Sequence, residues 1–310
     1  MRVGIDIGGT KTDAVAIGPD GSLAYTLRLP TGFGAESVLE TAVAAVTELT
    51  RISGTSVADF ASIGIGIPGA VDRESGRVAH AVNLGLEGLD LGGELERRLG
   101  RAVRVENDVN AAALGAFHLL EKVPEHSMAY LNLGTGLAAG LVLGGQLWRG
   151  SRGVAGEIGH IPVDPNGPLC PCGQRGCLEM MASGSAVARD WPTDDPMPVR
   201  ALFEAAEAGH PLAIEVRSRL VENVAAAVRL LVLTVDVDSV VIGGGISRLG
   251  DVLLADVRGV LERWAADSAF LAMQHLPERV QILPPDFPAA AVGAALVGAP
   301  DETPVVVGAS

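Results

Sequence analysis

The sequence predicts an α/β protein of two domains, and three observations carry that prediction. Strand-like runs alternate with helix-like runs along the chain. A unit of strand, glycine turn, strand and hairpin occurs twice at an offset of 126 residues, aligning Asp6 with Asn132, Ile7 with Leu133, Gly8 with Gly134, Val15 with Leu141 and Gly18 with Gly144. The length, 310 residues, is more than one small core needs. Apolar residues make up 48% of the chain and aromatics only 4%, so both cores must be built mainly from Val, Leu, Ile and Ala.

The elements follow in order. RVGIDIG and TDAVAI read as strands around a glycine turn, and the triplet Pro19-Asp20-Gly21 turns the chain into a third strand, SLAYTLRL. The segment 34–53 places Val38, Leu39, Ala42, Val43 and Val46 on one helical stripe. A strand at ASIGIGIPG, a short helix closed by Gly100 and a strand at AVRVEND come next, and a helix follows Asp108 directly. The second copy of the opening unit occupies AYLNLGTGLAAGLVLGGQL. WPTDDPMPV (191–199) reads as a loop, 212–235 as a long helix apolar on more than one face, DSVVIGGGIS as a strand running into a helix start, and 251–269 as an amphipathic helix. The pattern breaks near KVPEHS, which divides the chain into domains at 1–118 and 119–287. AAAVGAALVG is a final helix, and the last ten residues are expected to fray.

A formal charge of −14, with Lys only at 11 and 122, argues against nucleic acid or an anionic membrane surface as partner. The longest apolar run is interrupted by Arg229 and Asp236, short of a membrane span. The opening MRVGIDIGG reads as a strand rather than a signal peptide, and three cysteines do not pair off into disulfides. A reducing, cytoplasmic setting is the expectation.

All three cysteines fall in one Gly/Pro-rich stretch, 157–179. Cys170, Cys172 and Cys177 with His160 supply three thiolates and an imidazole, a closed tetrahedral set for a structural Zn²⁺. A zinc hydrolase would need an open coordination position, which four protein ligands leave no room for. Asp6, Gly8, Gly9, Thr10 and Lys11 form a glycine turn after a strand, where backbone N–H groups approach phosphate oxygens and the hydroxyl and ammonium add to them. Neither a P-loop nor a Rossmann fingerprint is present. Gly134, Thr135 and Gly136 repeat the turn, and Gly243, Gly244 and Gly245 put backbone amides at the expected helix start. At the end of the strand VEND, Asp108 is a carboxylate suited to orient a hydroxyl and accept its proton, although Asp is also a favoured helix cap.

Together these segments resemble the ROK family, which contains bacterial glucokinases, other hexose and N-acetylhexosamine kinases, and sugar-responsive repressors. The resemblance rests on G-E-I-G-H followed by C-x-C-G-x-x-G-C-L-E, on D-I-G-G-T-K-T, on L-G-T-G, on V-E-N-D and on the glycine triplet, in family order over nearly the whole chain. It implies two ribonuclease-H-like domains of the actin/Hsp70/hexokinase superfamily with an interdomain cleft, and a final helix, about 288–300, returning to the first domain. It implies an ATP-dependent hexokinase that transfers the γ-phosphoryl of Mg²⁺–ATP to the 6-hydroxyl of a hexose, with glucose first and N-acetylhexosamine, mannose or fructose as alternatives. In that reading Asp108 is the catalytic base, Asp6 faces Mg²⁺ and its water, and the three glycine segments hold the nucleotide. Gly69, Asn83, Asn107, Glu157, His160 and Glu179 contact the sugar, and His160 also ligates zinc.

The chain departs from the family pattern at Ala138 and Ala139, where further glycines are common, and at Leu86, near a common Trp. Polyphosphate remains open as an alternative phosphoryl donor. Repressors of the family carry a winged helix-turn-helix ahead of the first glycine turn; here that turn starts at residue 6, so none is expected. A homodimer or homotetramer is the family's usual assembly.

Overall fold

In a computed structural model, residues 1–298 are described. The expected fraying of the last ten residues lies outside them, as do the last two positions of the helix expected to run to 300. The chain runs β1 (Arg2–Ile7), β2 (Lys11–Ile17), β3 (Leu23–Pro30), α1 (Ala35–Ser53), β4 (Ser62–Ile67), β5 (Ala70–Asp72), β6 (Arg77–Ala81), β7 (Leu86–Asp90), α2 (Leu91–Leu99), β8 (Val103–Asn107) and α3 (Asp108–Leu119). It continues through β9 (Met128–Leu133), β10 (Leu137–Leu143), β11 (Gln146–Trp148), α4 (Gly184–Asp190), α5 (Pro198–Glu207), α6 (Pro211–Val235) and β12 (Ser239–Gly243). It closes with α7 (Asp251–Asp267), α8 (Ala269–Ala272), α9 (Leu276–Arg279), β13 (Val280–Ile282) and α10 (Ala289–Val297).

These elements form two compact units, one of residues 1–115 together with the segment from Pro288, the other of Ala116–Phe287. The division falls inside α3, just before the expected boundary at 118.

In the first unit the sheet order is β3-β2-β1-β4-β8, with β1 antiparallel to β2 and parallel to β4, and β4 parallel to β8. Strands covered on both faces read as continuous apolar runs, as SIGIGI in β4 does, and all six of its residues are buried. The core gathers Val3, Ile5, Ile63 and Ile65 with Val38, Leu39, Ala42 and Val46 of α1. On the other face α10 comes so close that a Cβ on Gly4 would strike the Ala291 carbonyl, and one on Gly64 that of Ala294. A separate three-stranded sheet, β5-β6-β7, follows β4; the sequence pattern did not indicate it.

In the second unit the order is β11-β10-β9-β12-β13, with the same parallel and antiparallel relations. The 126-residue offset carries β1 onto β9 and β2 onto β10, residue for residue at both ends. The long helix α6 buries Val216, Leu220, Val224, Val228 and Leu231 in the second core.

One sequence expectation is corrected. The glycine triplet does not open an α-helix: a 3-10 turn, Ile246–Leu249, follows it. Gly250, at φ 61° and ψ −132°, then breaks the backbone before α7 begins. Among the described residues, no helix is long and apolar enough to cross a membrane.

Candidate active site

In the first unit, the turn between β1 and β2 is closed by the Gly8 N–H donating to the Lys11 carbonyl at 2.9 Å. Pairing across this turn sets Asp6 directly opposite Asp13, and Asp13 opposite Arg28 of β3. Arg28 holds both Asp13 oxygens, Nε to Oδ1 at 2.5 Å and Nη2 to Oδ2 at 3.0 Å. Among the described residues, no arginine holds Asp6 in this way. Burial, and then the negative charges of Asp108 and Asp13, push its carboxyl up to about 8, against the opposing pull of Lys11. Asp108 and Asp6 therefore sense one another although 102 residues separate them in sequence. Gly9, Thr10 and Lys11 are exposed on the turn.

At the β8–α3 junction, Asn107 rather than Asp108 caps the helix. Its Oδ1 accepts from the N–H groups of Val109 at 3.0 Å and Asn110 at 3.2 Å. Its Nδ2 donates to the Gly69 carbonyl at 3.2 Å. Asn107 thus ties together two expected sugar-binding positions, and most of its own hydrogen-bonding capacity goes to the fold. Asp108, one residue on, accepts from the Val109 N–H at 3.0 Å and is half-buried. Glu106, 4% exposed, accepts from the Asn107 N–H and from Asn110 Nδ2, bracing the junction from beneath.

Two of these groups, Glu106 and Asp13, are not among the residues expected in the site from the sequence. Glu106 carries no distinctive signal, but Asp13 does: the hairpin closed at the glycine turn places it opposite Asp6. Asn83 is exposed beside Gly9, whose added Cβ would lie 3.4 Å from that of Asn83. Asp72 makes a turn, its Oδ1 accepting from the N–H groups of Glu74 and Ser75. Leu86 is 3% exposed and belongs to the core.

In the second unit, the turn Gly134–Gly136 is stitched to the start of α4: Gly184 N–H donates to the Gly134 carbonyl at 2.8 Å and Ser185 N–H to that of Thr135 at 3.1 Å. Gly244, at φ 85°, lies against the Leu133 carbonyl and Asn132 Oδ1, so the glycine triplet and the second turn meet. Glu179 Oε2 accepts from the Leu137 N–H at 3.0 Å, and a Cβ on Gly136 would strike that same oxygen. Glu179 is therefore built into the second turn. Glu157 is exposed just ahead of a 3-10 turn, Ile158–His160. Ala138 and Ala139 sit in β10, and Ala139 is buried with its N–H donating to the Gly156 carbonyl.

The ligand atoms of His160, Cys170, Cys172 and Cys177 all lie within 4.8 Å of one another. Zn–S bonds of about 2.3 Å require the sulfurs of a tetrahedral site to stand about 3.8 Å apart. Cys172 Sγ and Cys177 Sγ are 3.6 Å apart, and Cys170 Sγ lies 3.8 Å from His160 Nδ1. Donor type and spacing thus both suit a tetrahedral metal ion, and Nδ1 is the ring nitrogen facing the sulfurs. Hydrogen bonds from the backbone and side-chain amides of Gln174 draw the Cys172 thiol down to about 6, whereas burial pushes the Cys170 and Cys177 thiols up.

The chain is similar to the glucokinase of Streptomyces coelicolor, 33% identical over 85% of this chain and 88% of that protein. It is 35% identical to an N-acetylmannosamine kinase of Vibrio vulnificus, over 84% and 87%. Among solved structures, the ROK hexokinase of Thermus thermophilus matches with a TM-score of 0.79 and 34% identity, covering 96% of this chain and 97% of that one. A ROK family glucokinase of Streptomyces griseus, solved in complex with glucose and AMPPNP, matches with a TM-score of 0.76 and 32% identity, over 96% and 98%. The ROK family pattern itself matches residues 2–296, and with the duplicated sheets, the two glycine turns and the Cys/His cluster in place, this chain belongs to the ROK family.

Proposed function

We propose that this chain is an ATP-dependent hexose kinase, with glucose as its first substrate, that phosphorylates the sugar 6-hydroxyl with Asp108 as general base. The observation that carries the reading is the approach of Asp108 to the end of β1: Asp6 pairs with Gly66 of β4, and a Cβ on Gly66 would lie 3.6 Å from the Asp108 Cα. Asn107 takes over the capping of α3, so Asp108 is not needed for that task. Asp6 sits in a like-charge environment that favours a bound cation. A carboxylate oxygen of this kind would suit Mg²⁺ bound with ATP, and the cation would offset the phosphate charge. Asp108 orients the attacking hydroxyl and takes its proton as the new O–P bond forms and the γ-phosphorus bond to the bridging oxygen breaks, with ADP leaving, which keeps a positive charge off the sugar oxygen. The glycine turns at 8–11 and 134–136 offer backbone N–H groups to the phosphates, with Thr10, Lys11 and Thr135 adding to them.

In the second unit, His160, Cys170, Cys172 and Cys177 would hold a structural Zn²⁺, and with Nδ1 facing the sulfurs His160 Nε2 would be left to hydrogen-bond a sugar hydroxyl. Glu157 and Glu179 are the sugar-binding carboxylates of this unit. Similarity to a glucokinase solved with glucose and AMPPNP supports hexose and adenine nucleotide as substrates, and similarity to an N-acetylmannosamine kinase keeps N-acetylhexosamines in the panel to be tested.

The test is coupled ADP release with Mg²⁺–ATP across hexoses and N-acetylhexosamines, with Asp108→Asn in parallel. The expected result is turnover of one sugar, with kcat reduced ~10²–10⁴-fold in the variant while sugar binding persists. Sugar binding without turnover by the native chain would sink the kinase reading in favour of a sensor or another phosphoryl donor.

A further inference from the structure

Phe33 is the most exposed aromatic side chain among the described residues, at 75%. It is nevertheless firmly held. Thr31, two residues before it, donates its N–H to the Thr10 carbonyl at 3.1 Å, and its hydroxyl pairs with the buried Thr12 hydroxyl at 2.8 Å. Gly34, immediately after, donates to the Leu84 carbonyl at 2.9 Å. The ring lies flush on Gly85, where an added Cβ would stand 2.6 Å from Cε1 and Cζ. Gly85 is also at φ 68°, so both the turn and the ring seat call for glycine. A large apolar group fixed in water from three sides loses entropy and leaves its surface hydrated, which is the mark of a binding surface rather than of packing.

Its surroundings indicate what it binds. The same turn, Val82 to Gly85, carries Asn83, and Asn83 adjoins Gly9 of the first glycine turn. A pyranose has a rim of hydroxyls and an apolar C–H face. The expected sugar ligands of this unit, Gly69, Asn83, Asn107 and Asp108, address only the rim. Leu86 is turned into the core and offers nothing to the C–H face, whereas Phe33, with Val82 at 78% exposure beside Asn83, does. Topology agrees: Phe33 lies in the connection after the third strand of its sheet, and the corresponding connection after β11 carries Glu157, His160 and Glu179.

We propose that Phe33, seated on Gly85 beside Asn83, is a substrate-positioning residue whose ring covers the apolar C–H face of the acceptor sugar. The inference rests on the sugar-kinase reading above, and its test separates the two. Because the side chain is exposed, Phe33→Ala should fold normally. It is expected to raise the sugar KM about five- to tenfold with kcat and the ATP KM unchanged, and Phe33→Tyr should restore most of the loss. In Phe33→Trp, saturating sugar should shift indole emission beyond the change seen in the native protein.

An unchanged sugar KM in Phe33→Ala, in an enzyme that turns over, overturns the inference. So does a KM loss that tracks a fall in particle mass by light scattering, since the ring would then serve a contact between copies. If the native chain turns over no sugar, the kinase reading fails separately. The Phe33→Trp emission then decides alone: a response to sugar upholds the inference and no response overturns it.

Discussion

The two halves of this chain use one sheet plan for different tasks. In the first, four residues lie between the last pair of the hairpin, Ile7 and Thr12; in the second, three lie between Leu133 and Leu137. One residue fewer shifts the second strand by one position relative to its partner, which exchanges the two faces of that strand. The chemistry diverges with the register. At the aligned positions, Asp6, Lys11 and Asp13 of the first half are replaced by Asn132, Leu137 and Ala139 in the second. Ala139 goes into the core where Asp13 forms an ion pair, and Leu137 keeps only its backbone N–H for function, given to Glu179. Charge is thus concentrated on one copy of the hairpin, while the other works through backbone groups and an added Cys/His loop.

Making the first hairpin like the second is the sharpest way to break this contrast. Asp6→Asn supplies the first half with the residue found at Asn132. It is expected to lower kcat/KM by ~10²-fold or more at fixed Mg²⁺, by removing a carboxylate from the cation site. Steady-state kinetics with a Mg²⁺ titration measures it, and an unchanged Mg²⁺ dependence would show that the charge difference is incidental.

A smaller effect is expected from the feature that belongs to the second half alone. Cys172→Ser should reduce zinc content and raise the sugar KM about tenfold, leaving the nucleotide KM near its native value. Metal analysis beside kinetics reads both, and native zinc content together with a native sugar KM would refute it.

The smallest effect is on stability in the absence of divalent cations. Asp6 in the folded chain holds its proton to about pH 8, whereas in the unfolded chain it releases it near its ordinary value of 3.8. Between those values the folded state binds more protons, so this group lowers stability as pH rises from about 4 to about 8. Melting temperatures of the cation-free protein should fall over that range by a few degrees, and Asp6→Asn should flatten the slope. Parallel slopes in the two proteins would mean that Asp6 is not the group responsible.

Much of this contrast can be read from the residues. The repeat is visible because apolar alternation and glycines survive in both copies, and the Cys/His cluster because its ligands crowd into a few residues. What escapes are features decided by a single position or by distant contacts. Asn107 and Asp108 are both good caps, and only the backbone shows which one α3 uses. The glycine triplet permits a helix start or a 3-10 turn equally, and Gly250 decides the matter several residues later. The sheet of β5, β6 and β7 begins with a strand of three residues, too short for a period to show. The bond from Leu137 to Glu179 spans 42 residues that no local pattern connects.

The return of α10 to the first sheet has a consequence for synthesis of the chain. The surface around Gly4 and Gly64 is made before the second unit, but the helix that covers it is made after that unit. The second unit, continuous from Ala116 to Phe287, can therefore complete its core while the first is still waiting for α10. The unit begun first is finished after the second, and the carboxylates of Asp6, on β1, and Asp108, at the start of α3, reach their final setting only once the second unit has been made.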